Sequence, residues 1–461
     1  MREKQSLAQM MAPLHKDEQS DLTLDDGSRV AVIGGGPAGS FTSYFLLDMA
    51  QRAGIRLEVD IYEPRDFSTA GPAGCNMCGG IISESLVQIL ATEGITLPPT
   101  VVQRGIDSYV LHTDVGTVRI ETGLRESRIA AVHRGGGPRG TQRTRWSSFD
   151  EFLLNAALSK GATLIPARVT SVTWQQGRPH VAAKERPAQP YDLLVAAFGV
   201  NAAAGKLFDD LGLAYRPPQT TRTYIEELCL GEEAVEQHLG SSMHVFLLNI
   251  PRLEFAALIP KGDCVTLCLL GRDIDKALIA AFHDAPEVKG CLPPDWHQPD
   301  RYCHCSPQIS VHGAVQPFAD RLVFVGDCGV TRLYKDGIGA AYRIAKAAAR
   351  TAIFSGVSAR DFRRHFQPTC TAIEKDNRIG KLVFAATALI QKLRFARRSV
   401  VGMVRSEQRK PVAPRMSAAL WNLFTGSAPY REILLRMCHP FFWSRLLLAI
   451  GVGFRPRSRS D

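Results

Sequence analysis

The chain has 461 residues, 45% of them apolar, which is long enough for two fused domains around a large common core. Its net charge of +10 is uneven: residues 381–461 hold 15 Lys or Arg against 3 Asp or Glu, a net +12, so the remainder is near neutral at −2. Eleven cysteines without an apolar leader point to a reducing cytoplasm rather than a disulfide scaffold, and no uninterrupted apolar stretch reaches the roughly 18–20 residues of a membrane-spanning helix.

Residues 1–27 are polar and charged and read as a loose tail. Val30–Ile33 then reads as a buried strand feeding the turn Gly34-Gly35-Gly36-Pro37-Ala38-Gly39, which opens a helix predicted from about Ala38 to Arg52. Gly34 makes the tight turn, Gly36 leaves bare backbone where a pyrophosphate must approach, and Gly39 lets the helix pack closely on the strand. Pro37 and Ala38 supply the first helical turn. A second strand, Leu57–Tyr62, ends in Glu63, where a carboxylate accepts hydrogen bonds from ribose hydroxyls. Strand, turn, helix, strand and acid together predict an adenine dinucleotide site.

Cys75 and Cys78 form a CxxC pair, and Cys303 and Cys305 flank His304, so four thiols are candidates for zinc or an iron–sulfur cluster. The stronger reading makes them small buried hydrophobes, with no metal ligand assigned. Gly135-Gly136-Gly137-Pro138-Arg139-Gly140 repeats the glycine pattern, yet polar residues flank it and it reads as a loop whose Arg139 can reach a ligand. A helix is predicted over Phe149–Ser159 and strands near Leu164 and over Tyr191–Phe198. Ile106–Ile120 and Thr221–Leu270 hold short alternating strands, such as Val265–Leu269, suited to a sheet that roofs a ligand. His304 and His312 receive no role.

Arg321–Val325 is another apolar strand, ending in Gly326-Asp327, and Lys335-Asp336-Gly337-Ile338-Gly339 leads into an alanine-rich helix from Ala340 to Phe354. Asp327 can accept from ribitol hydroxyls while Gly337 and Gly339 offer amides to a pyrimidine edge. A nicotinamide needs neither, so the segment favours FAD. Lys335 and Asp336 read as loop and cap residues.

The turn with Glu63, the strand ending at Gly199 and the Gly326-Asp327 segment resemble, in that order, the FAD-dependent oxidoreductases of the geranylgeranyl reductase and aromatic hydroxylase superfamily. Cys78-Gly79-Gly80-Ile81 looks like the Cys-Gly-Gly stretch of geranylgeranyl reductases, whose cysteine lies near the flavin, and Phe255–Lys261 looks like their substrate-domain strand. That strand normally carries Tyr, Trp and Phe where this chain has Phe255, Ala257 and Ile259. The family's arginine four residues before an Asp is Trp146 here, which leaves Arg145, one place off, as the cofactor contact. The resemblance implies an FAD enzyme reducing isoprenoid double bonds, with Cys78 as proton donor or substrate-orienting thiol. The alternatives are a flavin monooxygenase and a flavin or metal electron-transfer protein linked to quinone.

The expected fold is α/β: a Rossmann-like FAD-binding domain (about 28–100, 141–205 and 315–356), an inserted β-rich substrate domain (about 101–140 and 206–314) and a helical basic C-terminal region (357–461). No second nucleotide unit is evident, so NADPH or NADH would donate electrons transiently, or a carrier protein would. The substrate is expected to be a small apolar molecule. In the C-terminal region the run Leu382–Ile390 and the stretch Phe441–Ile450, near Arg455, Arg457 and Arg459, suit the surface of an anionic membrane, against the alternative of a helix packed on the flavin domain. The chain is then expected to be cytoplasmic, peripheral on the membrane, with no nucleic-acid partner because no binding fold accompanies the charge.

Overall fold

A computed structural model describes residues 20–75, 77–121, 128–139, 147–299, 302–409 and 415–438. Among these the strands form four sheets. The strand Ser28–Ile33 is buried from Val30 onward, as an apolar run covered on both faces must be. It lies inside a six-stranded sheet, parallel to Leu57–Tyr62 on one side and to Leu193–Ala196 on the other. Thr163–Ile165 extends the sheet beyond the former, and Leu322–Phe324 with its antiparallel neighbour Phe318–Ala319 beyond the latter. Ile33 stands opposite Tyr62 and Ala196, and Ala196 opposite Phe324, so the turns that follow these strands gather at one edge. That edge is where open parallel sheets take their ligands.

The helices Pro37–Ala53, Phe149–Ser159 and Gly337–Phe354 cover one face of this sheet. Phe41 and Phe45 of the first meet Tyr342 of the last edge-on, with centroids 5.8 and 5.5 Å apart. A three-stranded antiparallel meander, Val169–Gln175, Arg178–Ala183 and Arg186–Pro190, covers the other face and packs Val172 and Val181 against Ala31 and Ala196. The sequence reading did not separate this meander from the nucleotide unit.

The roof is an eight-stranded sheet in the order Cys303–Cys305, Gln219–Cys229, Cys264–Gly271, Leu253–Pro260, Ser242–Phe246, Ser108–Thr113 and Gly116–Glu121, with Gln308–His312 on the other half of Gln219–Cys229. Alternation along Leu253–Pro260 sends Phe255, Ala257 and Ile259 to one core and Ala256 and Leu258 to the other. A small sheet of Ile81–Ser83, Ile129–Ala131 and Arg104–Ile106 joins the segment before residue 100 to the segment after it.

The region after residue 357 is not a separate appendage. The helices Gln367–Lys392, Arg394–Arg409, Arg415–Thr425 and Tyr430–Met437 place Val383, Val401, Trp421, Phe424 and Tyr430 in one core with Tyr109 and Val118 of the roof. Trp421 meets Tyr109 edge-on at 5.0 Å, and buried Arg397 donates to Asp114 from Nη2 at 2.8 Å. No helix among the described residues is long and apolar enough to cross a membrane. The stretch Phe441–Ile450 and Arg455, Arg457 and Arg459 lie outside the described residues.

Candidate functional site

Gly34 has φ +109°, and the place of its missing side chain is taken by the Ala197 carbonyl oxygen, 2.6 Å from where a Cβ would stand. Gly39 is equally committed: a Cβ there would lie 1.8 Å from the Gly34 carbonyl oxygen, so the helix rests on the turn as its packing role requires. Gly36, at φ −67° and ψ −176°, has ordinary extended backbone and lines the cavity at the helix start. No side chain caps that helix and no acid stands in its first turn, which leaves its amides to a ligand anion.

Glu63, 3% exposed, is locked at the strand tip. Its carboxylate accepts from Gly35 N at 3.0 Å and from Arg65 N and Nε at 3.0 and 3.1 Å. Gly326 (φ +70°) sits against Ala38, whose Cβ is 2.5 Å from the position a Cβ on Gly326 would take. Asp327 is walled in by protein yet turns much of its surface to the cavity; this enclosure pushes its carboxyl pKa up, against the opposing charge of Arg134.

One cavity of about 710 Å³ connects these parts. It starts at Gly34, Gly36, Pro37, Ala38 and Glu63, passes Gly326, Asp327 and Gly337, and ends under Met243, Phe255, Ala257, Ile259 and Phe424. Gly337 opens a second helix whose N-terminus has no side-chain cap. Gly339, expected to offer an amide to the ligand, is not part of the wall. Its missing side chain makes room for Asp336, whose Oδ1 lies 2.1 Å from the Cβ position. Arg145 lies outside the described residues. Arg139 packs on Gly71 and against Cys303.

Cys78 lines the cavity beside the buried guanidinium of Arg134. Burial alone would push the Arg134 pKa down, but the Asp150 carboxylate and the Cys78 sulfur more than offset it and hold the arginine charged. Asp150 Oδ2 accepts from Arg134 Nη2 at 3.0 Å. Behind Gly80 lies Lys261, 1% exposed, 3.7 Å from Glu227 and 3.3 Å from His133 Nδ1. Burial, then the Lys261 charge, hold His133 neutral, well below its usual pKa.

Lys335 lies in the loop before the Gly337–Phe354 helix and Asp336 stands at the N-cap position of that helix, as the sequence suggests. Asp336 makes no capping bond and instead pairs with Arg332 and Arg343 at 3.3 and 2.9 Å. Lys335 projects into the cavity with Nζ 3.7 Å from the centre of the Phe255 ring, and burial lowers its pKa to about 8. Opposite charges around Asp336 and a lysine between two positive-φ residues, Tyr334 and Asp336, are tertiary features that motif spacing does not carry. Arg332, buried, ties this loop to the C-terminal helices through the carbonyls of Gly426 and Ala428. A smaller cavity of about 440 Å³ shares Phe255, Lys335 and Phe424 with the main one and runs beneath Lys381–Ala388.

Burial pushes the Cys75 and Cys303 thiols up and that of Cys305 to about 12. These three and Cys78 do not meet at ligand spacing; among the described residues the triple of metal-binding side chains within 4.8 Å of one another is His112, His244 and Cys291. All eleven cysteines are free thiols.

No protein-family model matches the chain, and no curated protein matches it in sequence. Solved structures do. A flavoprotein/dehydrogenase from Cytophaga hutchinsonii superposes with a TM-score of 0.60 at 13% identity, covering 93% of this chain and 100% of that one. The chain has the fold of the FAD-dependent flavoproteins. The halogenase PltM in complex with phloroglucinol and FAD gives a TM-score of 0.56 at 13% identity over 93% of each chain. The tetracycline destructase Tet(51) gives 0.51 at 14% identity, over 80% of this chain and 98% of that one.

Proposed function

We propose that the protein is an FAD-dependent oxidoreductase that oxygenates a small apolar substrate, with NADPH or NADH as transient electron donor. The observation that carries this reading is the single cavity with two chemically different ends: uncapped helix amides, Glu63 and Asp327 at one, and Phe255, Ala257, Ile259 and Phe424 at the other. The donor set fits a flavin dinucleotide, since the amides of Gly36 and Ala38 suit its pyrophosphate, Glu63 its ribose, Asp327 its ribitol, and the Gly337 helix end its pyrimidine edge. Bound there, reduced FAD supplies the electron pair that activates dioxygen.

The chain's own residues orient the substrate and exclude water around it. The apolar roof strips solvent from an apolar substrate, and the fixed charge of Arg134 with the adjustable one of Lys335 favours negative charge developing between them. Among the titratable groups on the wall, Cys78 Sγ and Lys335 Nζ are the ones assigned to move a proton at the substrate. Oxygen chemistry is preferred to reduction of isoprenoid double bonds because the similar structures with named activities include a halogenase and a tetracycline destructase. The same pocket with Cys78 on its wall suits double-bond reduction as the second reading.

The anaerobic visible spectrum of the purified protein, before and after NADPH or NADH, followed by admission of isotopically heavy dioxygen with an apolar substrate panel, tests both. Bleaching of a flavin band and heavy oxygen in the product support the proposal. Reduced product without oxygen uptake would transfer the assignment to the reductase reading, and protein that takes up no FAD would end both.

A further inference from the structure

On the face of the roof sheet turned away from the cavity, His112, His244 and Cys291 converge, and the chemistry above uses none of them. His112 and His244 ride on the parallel neighbours Ser108–Thr113 and Ser242–Phe246, and Cys291 follows the short helix Pro286–Lys289 packed beneath. Tyr109, Leu111, Met243 and Val245 alternate to the opposite face. All three donors are buried.

His112 Nε2 and His244 Nδ1 are 3.0 Å apart, His244 Nδ1 and Cys291 Sγ 3.2 Å, and Cys291 Sγ and His112 Nε2 3.6 Å. Zinc–nitrogen bonds of about 2.0 Å and a zinc–sulfur bond of about 2.3 Å in tetrahedral geometry set N–N near ~3.3 Å and N–S near ~3.6 Å. The three donors stand within a few tenths of an ångström of that triangle.

The outer side of each ring is already engaged. His112 Nδ1 lies 3.3 Å from Thr117 Oγ1, and His244 bonds the backbone of Leu239. Such outer partners fix the tautomer and aim the remaining lone pair of an imidazole at a metal. Stacking of His112 between His244 and Phe246, at centroid distances of 5.0 and 4.7 Å, holds the rings in place.

We infer that His112 Nε2, His244 Nδ1 and Cys291 Sγ bind one zinc ion, which pins the Pro286–Cys291 segment to the roof sheet. Two imidazoles and a thiolate select zinc over hard cations such as magnesium or calcium. Binding releases one proton, from the Cys291 thiol, which otherwise donates to the Glu287 carbonyl at 3.3 Å. A water fills the fourth position, as no fourth such side chain among the described residues joins the group. Because the donors are buried, the ion enters as the sheet folds and stays with the purified protein.

Elemental analysis of full-length protein from zinc-supplemented culture should find about one zinc per chain, and zinc-edge X-ray absorption should show two nitrogen neighbours and one sulfur. Cys291→Ala should lower the zinc content at least tenfold while leaving the FAD content unchanged, because the site and the cavity lie on opposite faces. Wild-type protein without stoichiometric metal, a different metal in its place, an absorption edge without sulfur, or full zinc retention by Cys291→Ala would each overturn the assignment. The edge spectrum and stoichiometry need only the wild type, so they decide the matter even if the variant does not fold.

Discussion

Gly326 touches Ala38: the backbone that ends one sheet strand lies so close to the first turn of the leading helix that a Cβ on Gly326 would stand 2.5 Å from that of Ala38. With φ +70° at Gly326 as well, any larger residue is both strained and obstructed. Gly326→Val should therefore separate the Asp327 loop from the helix start, destabilise the fold by about 2–4 kcal/mol, and lose FAD. Chemical denaturation and flavin content of the purified variant check this, and an unchanged midpoint would refute it.

Gly36→Val should behave differently. Its backbone is already extended, so the fold should stand with a loss under about 1 kcal/mol, while the valine fills the space over the helix amides and abolishes FAD binding. Glu63→Ala removes ribose bonds and the acceptor of Gly35 N but adds nothing over the helix amides, so FAD affinity should fall only about tenfold, or about 1–2 kcal/mol. Titration of apoprotein with FAD orders the two; tighter binding by Gly36→Val than by Glu63→Ala would contradict the assignment.

The buried ammonium of Lys335 carries a pH signature. Burial lowers its pKa from 10.5 to about 8, so below pH 8 the folded state holds a charge that the unfolded chain carries more comfortably in water. Between that pH and 10.5 the unfolded state binds more protons, and stability from this group rises with pH. Lys335→Met should thus stabilise the protein by about 1–3 kcal/mol below pH 8, with the gain vanishing towards pH 10. In turnover, loss of the ammonium should remove any fall in rate as pH rises through about 8. A variant whose stability and rate profiles follow the wild type at every pH would exclude the role.

Cys78→Ser should keep the flavin spectrum and slow substrate turnover more than flavin reduction, as stopped-flow half-reactions would show. Unchanged turnover removes Cys78 from the proton-moving groups. Its neighbour gives a contrasting result: Asp150→Ala leaves the Arg134 charge buried beside Cys78 with its principal counter-ion gone, at a cost of about 3–5 kcal/mol. Denaturation curves read this directly.

We propose that the C-terminal region meets an anionic membrane. Leu382 and Leu389 are 63% and 58% exposed on the helix that covers the smaller cavity, and the apolar and basic residues 439–461 follow beyond. Cutting at residue 380 would strip Val383, Phe424 and Tyr430 from the core, so the informative truncation is after Cys438. That form should keep FAD and lose sedimentation with anionic liposomes. Equal sedimentation of both forms, or none by the full chain, rejects the proposal.

Hydrophobic period and turn chemistry are local properties, and they alone determine that Ser28–Ile33, Leu57–Tyr62 and Phe149–Ser159 exist, that a glycine turn joins the first strand to a helix, and that Glu63 ends the second strand. The α/β class and the dinucleotide edge follow from that order. The far end of the cavity was not legible in the same way. Lys335 reads as a loop residue, and nothing in the sequence singles out Phe384, Phe424, His112, His244 or Cys291, because periodicity shows that a side chain is turned inward without showing what stands opposite it. Only the packing of the C-terminal helices on the roof, and the parallel pairing of Ser108–Thr113 with Ser242–Phe246, brings those partners together. Long-range contacts of this kind are chosen by the burial of whole faces, which no short stretch of chain encodes.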